Sequence, residues 1–270
     1  MSTRRQLTRV VLLAFLALMP LAAQDSNFKP IRIPPKYRGH LQGFCVDDNA
    51  IYMSFTSMMV KADYDGNILL EKPIESHAGD ICLHEGKIYI AHSVRAKGAE
   101  TGGFVTILDT DFNQQKRIPL PQTPQPDGIG FLNGAFFIGN DEFGKEPHPT
   151  NYIHQYDENF IFQKSHTVEI GNAHYGVQTI AGFNNELWMG FYMNPRKYGI
   201  CRFDANVAFL EGFASPGASE GLCEAPPGRR GPNPRLLVSS NVKETKDGVR
   251  LFGTLLRFFE FDGVKLNLLK

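Results

Sequence analysis

The chain has 270 residues, and its 28 basic and 28 acidic side chains give a formal net charge of zero. This balance argues against a nucleic-acid-binding protein that depends on bulk positive charge. Hydrophobic residues make up 42% of the chain, which is enough for a globular core.

The first residues have the pattern of a cleavable export signal. Arg4, Arg5 and Arg9 precede an apolar run over residues 10–21, and the small residues Ala22 and Ala23 follow it. The run is too short to cross a bilayer comfortably, so we predict a signal peptide over residues 1–23 rather than a retained membrane anchor. The mature protein would then be periplasmic or extracellular, with no membrane attachment after cleavage.

The rest of the chain repeats one pattern five times. In each copy a polar residue leads into a short apolar run, a turn and a second apolar run. The copies are HLQGFCVDDNAIYMSF from His40, HAGDICLHEGKIYIAHS from His77, PDGIGFLNGAFFIGND from Pro126, HYGVQTIAGFNNELWMGFY from His174 and ASEGLCEAPPGRRGPNPRLLVSSN from Ala218. Two further apolar runs follow each copy, joined by a polar turn such as Asp65-Gly66. Four strands per copy, without sustained helical periodicity, are typical of the blades of a β-propeller.

We therefore predict an all-β fold, a five-bladed β-propeller of four-stranded antiparallel blades. It is expected to form a single domain over residues 24–270, since no linker or low-complexity run divides the chain. About 49 residues per blade fit five blades better than six or seven. Either the N-terminal segment 27–34 or the C-terminal segment VKLNLL is expected to close the ring.

Three of the four cysteines share one position of the repeat. Cys45, Cys82 and Cys223 occupy it in three copies, and Gly130 and Ala181 occupy it in the other two. A column of small residues predicts a tightly packed inner position, so we favour buried thiols over disulfides. The absence of CxxC spacing argues against a metal held by these cysteines.

The start of each inner strand of a propeller brings polar side chains to the central axis. The residues at these starts are His40, Gln42, His77, Asp80, Gln125, Asp127, His174, Gln178, Ser219 and Glu220. We predict the acids Asp80, Asp127 and Glu220 as catalytic residues or as ligands of a divalent cation such as calcium. The histidines would suit zinc or another transition metal. The alternative is that these groups hydrogen-bond one another and trapped water to fill the channel.

A second set of loops is predicted to surround the same face with positive charge. The cations are Arg95, Lys97, Lys145, Arg196, Lys197 and Lys243, and Tyr192, Asn194 and Tyr198 lie beside them. Such groups would hold an anionic or sugar-like ligand above the axial acids. The alternative is a set of ordinary solvated loops. The other histidines, including His84, His92, His154 and His166, are predicted to be surface or turn residues.

The inner-strand series QGF, GDI, DGI, VQT and EGL resembles the five-bladed propellers of the glutamine cyclotransferase type, which are exported and of similar length. The resemblance implies the propeller fold and a glutaminyl-peptide cyclotransferase activity. Gly79 stands where the second blade of that family places its catalytic glutamate, and Asp80 follows it. A weaker likeness is to the calcium-dependent five-bladed nucleotidases, which implies acids around an axial calcium.

These observations predict an exported, monomeric propeller that binds a small polar or anionic ligand in the axial funnel. Metal-assisted hydrolysis is the most specific form of this prediction. The alternatives are a non-catalytic propeller that binds a protein or a glycan, and an enzyme of the cyclotransferase type.

Overall fold

The computed structural model describes residues 28–94, 102–141, 148–193, 198–214 and 218–270. Within these ranges the chain forms twenty β-strands and two short 3₁₀ helices, Ala218–Glu220 and Pro227–Arg229. The described residues include no helix that is long and apolar enough to cross a membrane. The predicted signal peptide lies outside these ranges.

The strands group into blades in chain order. The first strand, β1 (Ile31–Tyr37), precedes the first complete blade. Blade 1 consists of β2 (Leu41–Val46), β3 (Ile51–Phe55), β4 (Met58–Ala62) and β5 (Ile68–Pro73). Blade 2 consists of β6 (Ala78–His84), β7 (Lys87–Val94), β8 (Gly102–Asp109) and β9 (Gln114–Pro119).

Blades 3 and 4 share one long strand, β13 (Phe162–Phe183). Its first half pairs with β12 as the outer strand of blade 3, and its last residues pair with β14 as the inner strand of blade 4. The remaining strands of blade 3 are β10 (Pro126–Leu132), β11 (Ala135–Asn140) and β12 (His148–Asp157). Those of blade 4 are β14 (Glu186–Met193), β15 (Ile200–Asp204) and β16 (Phe209–Phe213).

Blade 5 combines strands from both ends of the described chain. Its own strands are β17 (Leu222–Glu224), β18 (Arg235–Lys246), β19 (Val249–Phe261) and β20 (Leu266–Leu268). The strand β1 pairs with one part of β19, with Ile33 opposite Thr254, and β20 pairs with another part, with Leu266 opposite Phe261. The two predicted alternatives for closing the ring therefore both occur, at different positions along one strand.

The inner strands form a closed ring, because β2, β6, β10, β13 and β17 contact one another in this order and β17 contacts β2. The predicted all-β propeller of antiparallel blades is thus confirmed, and the described strands group around these five inner strands, with four strands to a blade except in blade 5, whose sheet has five. Apolar side chains fill the spaces between blades. Trp188, the one tryptophan of the chain, is fully buried in the space between blades 4 and 5 and lies near Phe213 and Phe261.

The same turn recurs at the outer hairpin of every blade. In each copy one Oδ1 atom of an aspartate accepts two backbone N–H groups from the turn that follows it, with donor–acceptor distances of 2.8–3.0 Å. These aspartates are Asp63, Asp109, Asp157, Asp204 and Asp262. Side-chain caps of this kind fix local turns. In the first blade the capping residue is therefore Asp63, two residues before the Asp65-Gly66 pair that marked the turn in the sequence.

Candidate functional site

Four of the predicted site residues lie at or just before the start of the inner strand of their blades. Gln42 lies near the start of β2, Asp127 near the start of β10 and Gln178 at the start of the inner half of β13. Glu220 ends the 3₁₀ helix that precedes β17. The ring of inner strands consequently carries these side chains to one end of the axis.

A partly buried tyrosine, Tyr192, is the centre of the polar cluster at this end. The Tyr192 hydroxyl lies 3.5 Å from His40 Nε2, at the long end of the hydrogen-bonding range. Burial raises the pKa of Tyr192, and the negative charges of Glu220 and Asp127 raise it further. A hydrogen bond from the Ser219 side chain opposes this effect. Tyr192 therefore stays protonated, and its surroundings include both acids.

Glu220 has the most useful acid–base properties in the cluster. Its Oε2 atom accepts the backbone N–H of Asn241 at 3.0 Å. Desolvation raises the pKa of Glu220 to about 7, although that hydrogen bond and the charge of Lys243 act in the opposite direction. A carboxyl group with this pKa can accept and release a proton near neutral pH.

His40 lies beside the same groups in its neutral form. Burial lowers the pKa of His40, and the positive charge of Lys243 lowers it further. The Gln42 side chain forms its hydrogen bond within blade 1, where its Nε2 atom lies 3.2 Å from Thr56 Oγ1. Of these two predicted ligand-binding residues, His40 is the one whose side chain contacts Tyr192.

Asp127 and Gln178 form a second part of the cluster. Gln178 Nε2 donates to Asp127 Oδ2 at 3.2 Å and to the carbonyl oxygen of Tyr175 at 2.5 Å. The rings of Tyr175 and Tyr192 meet nearly edge to face, with their centroids 5.7 Å apart. The ring of His174 lies 6.4 Å from that of Tyr175. The cluster thus presents an amide, a carboxylate and aromatic surface together.

Apart from Asp80, the remaining predicted site residues are His77 and the residues of the second set of loops. His77 is exposed and has a positive φ of 66°. Arg95, Asn194 and Arg196 lie outside the described residues, as do Lys97, Lys145 and Lys197. Lys243 is described, and its Nζ atom lies 5.9 Å from the centroid of the Phe252 ring. The predicted ring of cations therefore stays a prediction, apart from Lys243.

Asp80 lies one residue deeper in the channel than the other acids and is only 1% exposed. Its Oδ2 atom accepts the backbone N–H of Ile129 at 3.1 Å and that of Ile180 at 2.9 Å. These donors belong to blades 3 and 4, so a side chain of blade 2 joins three blades. Burial raises the pKa of Asp80 well above its ordinary value, and the two N–H groups oppose the shift.

Glycines provide the space around this carboxyl group. A Cβ atom at Gly43 would overlap Asp80 Oδ1 and Asp80 Cα, so the close approach of blades 1 and 2 requires glycine there. Oδ1 itself has no hydrogen-bond partner among the described residues. This geometry favours a structural role for Asp80, at the junction of the inner strands, over direct contact with a ligand.

The cysteine column faces a separate cavity of about 220 Å³. Cys45, Cys82, Gly130, Ala181 and Cys223 all line it, so the five residues share one position as predicted, but that position borders a cavity rather than a tightly packed interior. All four cysteines are free thiols, and burial raises the pKa of each of the three in the column. Cys223 is partly exposed, and the other two are buried.

The acids do not assemble a metal site in the described part of the chain. Within those ranges no group of three or more His, Cys, Asp or Glu side chains is arranged to hold a metal ion. Asp80 and Glu220 each direct an oxygen atom to backbone N–H groups instead. The donor arrangement of the described residues therefore gives no support to the calcium prediction.

Two histidines contradict the surface assignment made from the sequence. His92 is 1% exposed and His154 is 8% exposed. The ring of His92 contacts the Thr106 hydroxyl at 3.1 Å, and the ring of His154 contacts the Thr123 hydroxyl at 2.8 Å. Burial of each imidazole is tolerated because a threonine hydroxyl forms a hydrogen bond with one of its ring nitrogen atoms.

Comparison with known proteins supports the architecture. No family model matches the sequence, and no curated protein matches it. A solved gluconolactonase from Xanthomonas campestris is similar over 80% of this chain and 72% of its own, with 14% identity and a TM-score of 0.50. The WD40 domain of Pan2 from Neurospora crassa is similar over 82% of this chain and 89% of its own, with 8% identity and a TM-score of 0.43. The likeness to the gluconolactonase extends to the fold alone, a β-propeller, in agreement with the strand topology.

Proposed function

We propose that the cluster around Tyr192 binds a small polar ligand and hydrolyses an ester bond in it, with Glu220 as the acid–base group. One observation carries this proposal: desolvation raises the pKa of the Glu220 carboxyl group to about 7, and its charge acts on the protonated Tyr192 hydroxyl. General acid–base catalysis is most effective when the pKa of the group is close to the working pH. Perturbed pKa values of this kind are concentrated in functional sites.

The proposed reaction uses one proton twice. The Glu220 carboxylate takes a proton from a water molecule, and the oxygen of that water attacks the carbonyl carbon. Tyr192 donates a hydrogen bond to the carbonyl oxygen as negative charge develops there. The C–O bond then breaks while Glu220 returns the proton to the leaving oxygen, so the products are a carboxylic acid and an alcohol.

Ligand positioning is assigned to the rest of the cluster. Asp127 and Gln178 hold each other in a fixed orientation through their 3.2 Å hydrogen bond. The rings of Tyr175 and Tyr192 provide the flat surface on which a sugar ring or a lactone ring packs. Hydrolysis of a cyclic ester is the activity in the name of the Xanthomonas gluconolactonase, which makes sugar lactones the first substrates to test.

The second candidate is sugar binding without turnover at the same cluster. The close tyrosine pair beside an amide and a carboxylate favours it, because these groups recognise a sugar without any chemical step. Saturable binding of a sugar, with no turnover of the corresponding lactone, would identify this function.

Cyclotransferase activity is ranked below both. A Cβ atom at Gly79 would lie 2.8 Å from the carbonyl oxygen of Ala91 and 2.9 Å from that of Asp127. Both are backbone atoms, so a glutamate side chain does not fit at this position without movement of a strand. An enzyme of this type would therefore need its acid from another position, such as Glu220.

The test is an assay of the purified protein with glucono-lactone, other sugar lactones and simple aryl esters. Glu220→Gln is expected to lower kcat by about 10²- to 10⁴-fold, the usual contribution of a general acid–base group. Glu224→Gln is the matched control, because Glu224 is also a partly buried glutamate with a raised pKa and is paired with Arg230. Equal activity of Glu220→Gln and the wild type would refute the assignment of Glu220.

A further inference from the structure

A cleft of about 280 Å³ lies between blades 1 and 2, away from the residues of the Tyr192 cluster. Polar and charged side chains form one part of its wall, and Met59, Leu108 and Phe112 form an apolar part. The polar residues used below are Lys72, Glu75, His92, Thr106 and Arg117. The volume is close to the lower end of the range of small-molecule sites, about 300–1,000 Å³.

Arg117, on the outer strand of blade 2, is only half satisfied. Its Nη1 atom donates to Glu75 Oε2 at 2.8 Å. Its Nε and Nη2 atoms are buried and have no hydrogen-bond partner among the described residues. The guanidinium carbon lies 4.1 Å from the centroid of the Phe104 ring, which is within cation–π distance.

The two unpaired atoms form one edge of the guanidinium group. Nε–H and Nη2–H point in nearly parallel directions, and this pair of donors matches the two oxygen atoms of a carboxylate. Arg202, by comparison, has two acidic partners, since its Nε atom lies 3.1 Å from Glu186 Oε2 and its Nη1 atom lies 3.3 Å from Glu211 Oε2. Arg117 has one acidic partner and a buried edge whose two donors are unpaired.

The charge of the cleft suits one monoanion. Lys72 and Arg117 are cationic and Glu75 is anionic, so these three residues have a net positive charge. His92 adds none in its neutral form, which is favoured because burial lowers its pKa, with a contribution from Arg117. Its ring nitrogen atoms contact Thr106 Oγ1 and the carbonyl oxygen of Ser76. A dianion would be repelled by Glu75, whereas a single carboxylate would balance the charge.

We propose that this cleft is a binding site for a small monocarboxylate, held by the Nε–H and Nη2–H groups of Arg117. The hydrocarbon part of the ligand packs on Met59, Leu108 and Phe112. The two nitrogen atoms are shielded from solvent, so binding requires a group of the cleft wall to move and let the carboxylate reach them. The site is independent of the proposed hydrolase activity.

The test uses acetate and benzoate as probes and sulfate as the dianionic comparison, in calorimetric titrations of the protein at low salt. Benzoate is expected to bind more tightly than acetate, because its ring buries apolar surface. Arg117→Lys keeps the positive charge but loses the paired donors, and it is expected to weaken benzoate binding by about 10-fold or more. Glu75→Gln removes the internal competitor and is expected to strengthen binding.

Lys116→Gln is the matched control. It removes one positive charge from the neighbouring position of the same strand, where the side chain is exposed and points to the opposite face. Equal losses in Arg117→Lys and Lys116→Gln would mean attraction by bulk charge and would overturn the proposal. Tighter binding of sulfate than of benzoate, or no binding of either carboxylate to the wild type, would also overturn it.

A second measurement needs no variant at position 117. In ¹⁵N-labelled wild-type protein, the Nε–H resonance of one arginine is expected to shift on addition of benzoate, and the shift should saturate. Glu75→Gln should reach the same end point at a lower benzoate concentration. An unchanged set of arginine Nε–H resonances at saturating benzoate would refute the role of Arg117.

Discussion

Replacement of Asp80 by alanine should destabilise the propeller strongly. The carboxyl group accepts the buried backbone N–H groups of Ile129 and Ile180, in two different blades. Each donor left without an acceptor in a buried place costs about 1–3 kcal/mol, so the pair predicts a loss of about 2–6 kcal/mol. Removal of a desolvated carboxyl group offsets part of this cost, and we expect Asp80→Ala to lower the free energy of unfolding by at least about 2 kcal/mol.

Urea denaturation followed by tryptophan fluorescence measures this difference. Trp188 is the only tryptophan and is fully buried between blades, so its emission reports loss of blade packing. Asp48→Ala is the control, because Asp48 is exposed and should change the free energy of unfolding by no more than about 0.5 kcal/mol. A loss as small as this in Asp80→Ala would refute the structural role of Asp80.

Asp80→Asn tests the role of the proton. The amide oxygen of asparagine can still accept both N–H groups, so Asp80→Asn should lower the free energy of unfolding by less than Asp80→Ala does. The folded-state pKa of Asp80 is raised above its unfolded value, so the wild type is stabilised by this group below the unfolded pKa. That stabilisation is lost as the pH rises through the folded pKa. The difference in free energy of unfolding between the wild type and Asp80→Asn should therefore become smaller as the pH increases.

Three further predictions concern other parts of the molecule. If Glu220 is the general base, kcat/KM should rise with pH through an apparent pKa of about 7, and Glu220→Gln should abolish this limb; a wild-type rate that is independent of pH between 5 and 9 would contradict it. Deletion of β1 removes the buried Ile31 and Ile33 from blade 5 and should cost more than roughly 3 kcal/mol in urea denaturation. Truncation after residue 265 removes β20, whose Leu268 is 45% exposed, and should cost less; the reverse order would mean that β20 closes the ring more tightly than β1. The native thiols should react slowly with Ellman's reagent at pH 7, with Cys223 reacting first because it is partly exposed, whereas rapid reaction of Cys45 would contradict its burial and raised pKa.

The deeper position of Asp80 could have been predicted from the alignment of the repeats. When the repeats are aligned on the cysteine column, Gly79 occupies the same position as Gln42. Asp80 therefore occupies the same position as Gly43. Successive residues of a strand point to opposite faces, so a displacement of one residue changes which surface a side chain reaches. Grouping Asp80 with Asp127 and Glu220 as one set of acids overlooked this displacement. Gly43, which occupies the same repeat position as Asp80 in the first copy, was the available signal for a buried carboxyl group.

The cluster around Tyr192 could be predicted only in part. Asp127, Gln178 and Glu220 were identified because they occupy equivalent positions in the repeat. Tyr192 was assigned to a surrounding loop, and Tyr175 and Asn241 were not identified at all. Their contributions depend on contacts between different blades, and no periodic pattern in one chain encodes which pairs of blades bring side chains together.

The sequence by itself determined the all-β class, the repeated four-strand unit and the common position of the cysteines, because these properties follow from local patterns that recur along the chain. The capping aspartates of the outer turns became evident only from the structure, which shows Asp63 rather than Asp65 as the cap in blade 1. Only the tertiary structure decided that β1 and β20 both pair with β19, that Asp80 joins the inner strands of separate blades, and that Glu220 is sufficiently desolvated to titrate near pH 7. Burial and contacts between distant segments depend on how the ring closes, and they control both the pKa values and the donors left without partners.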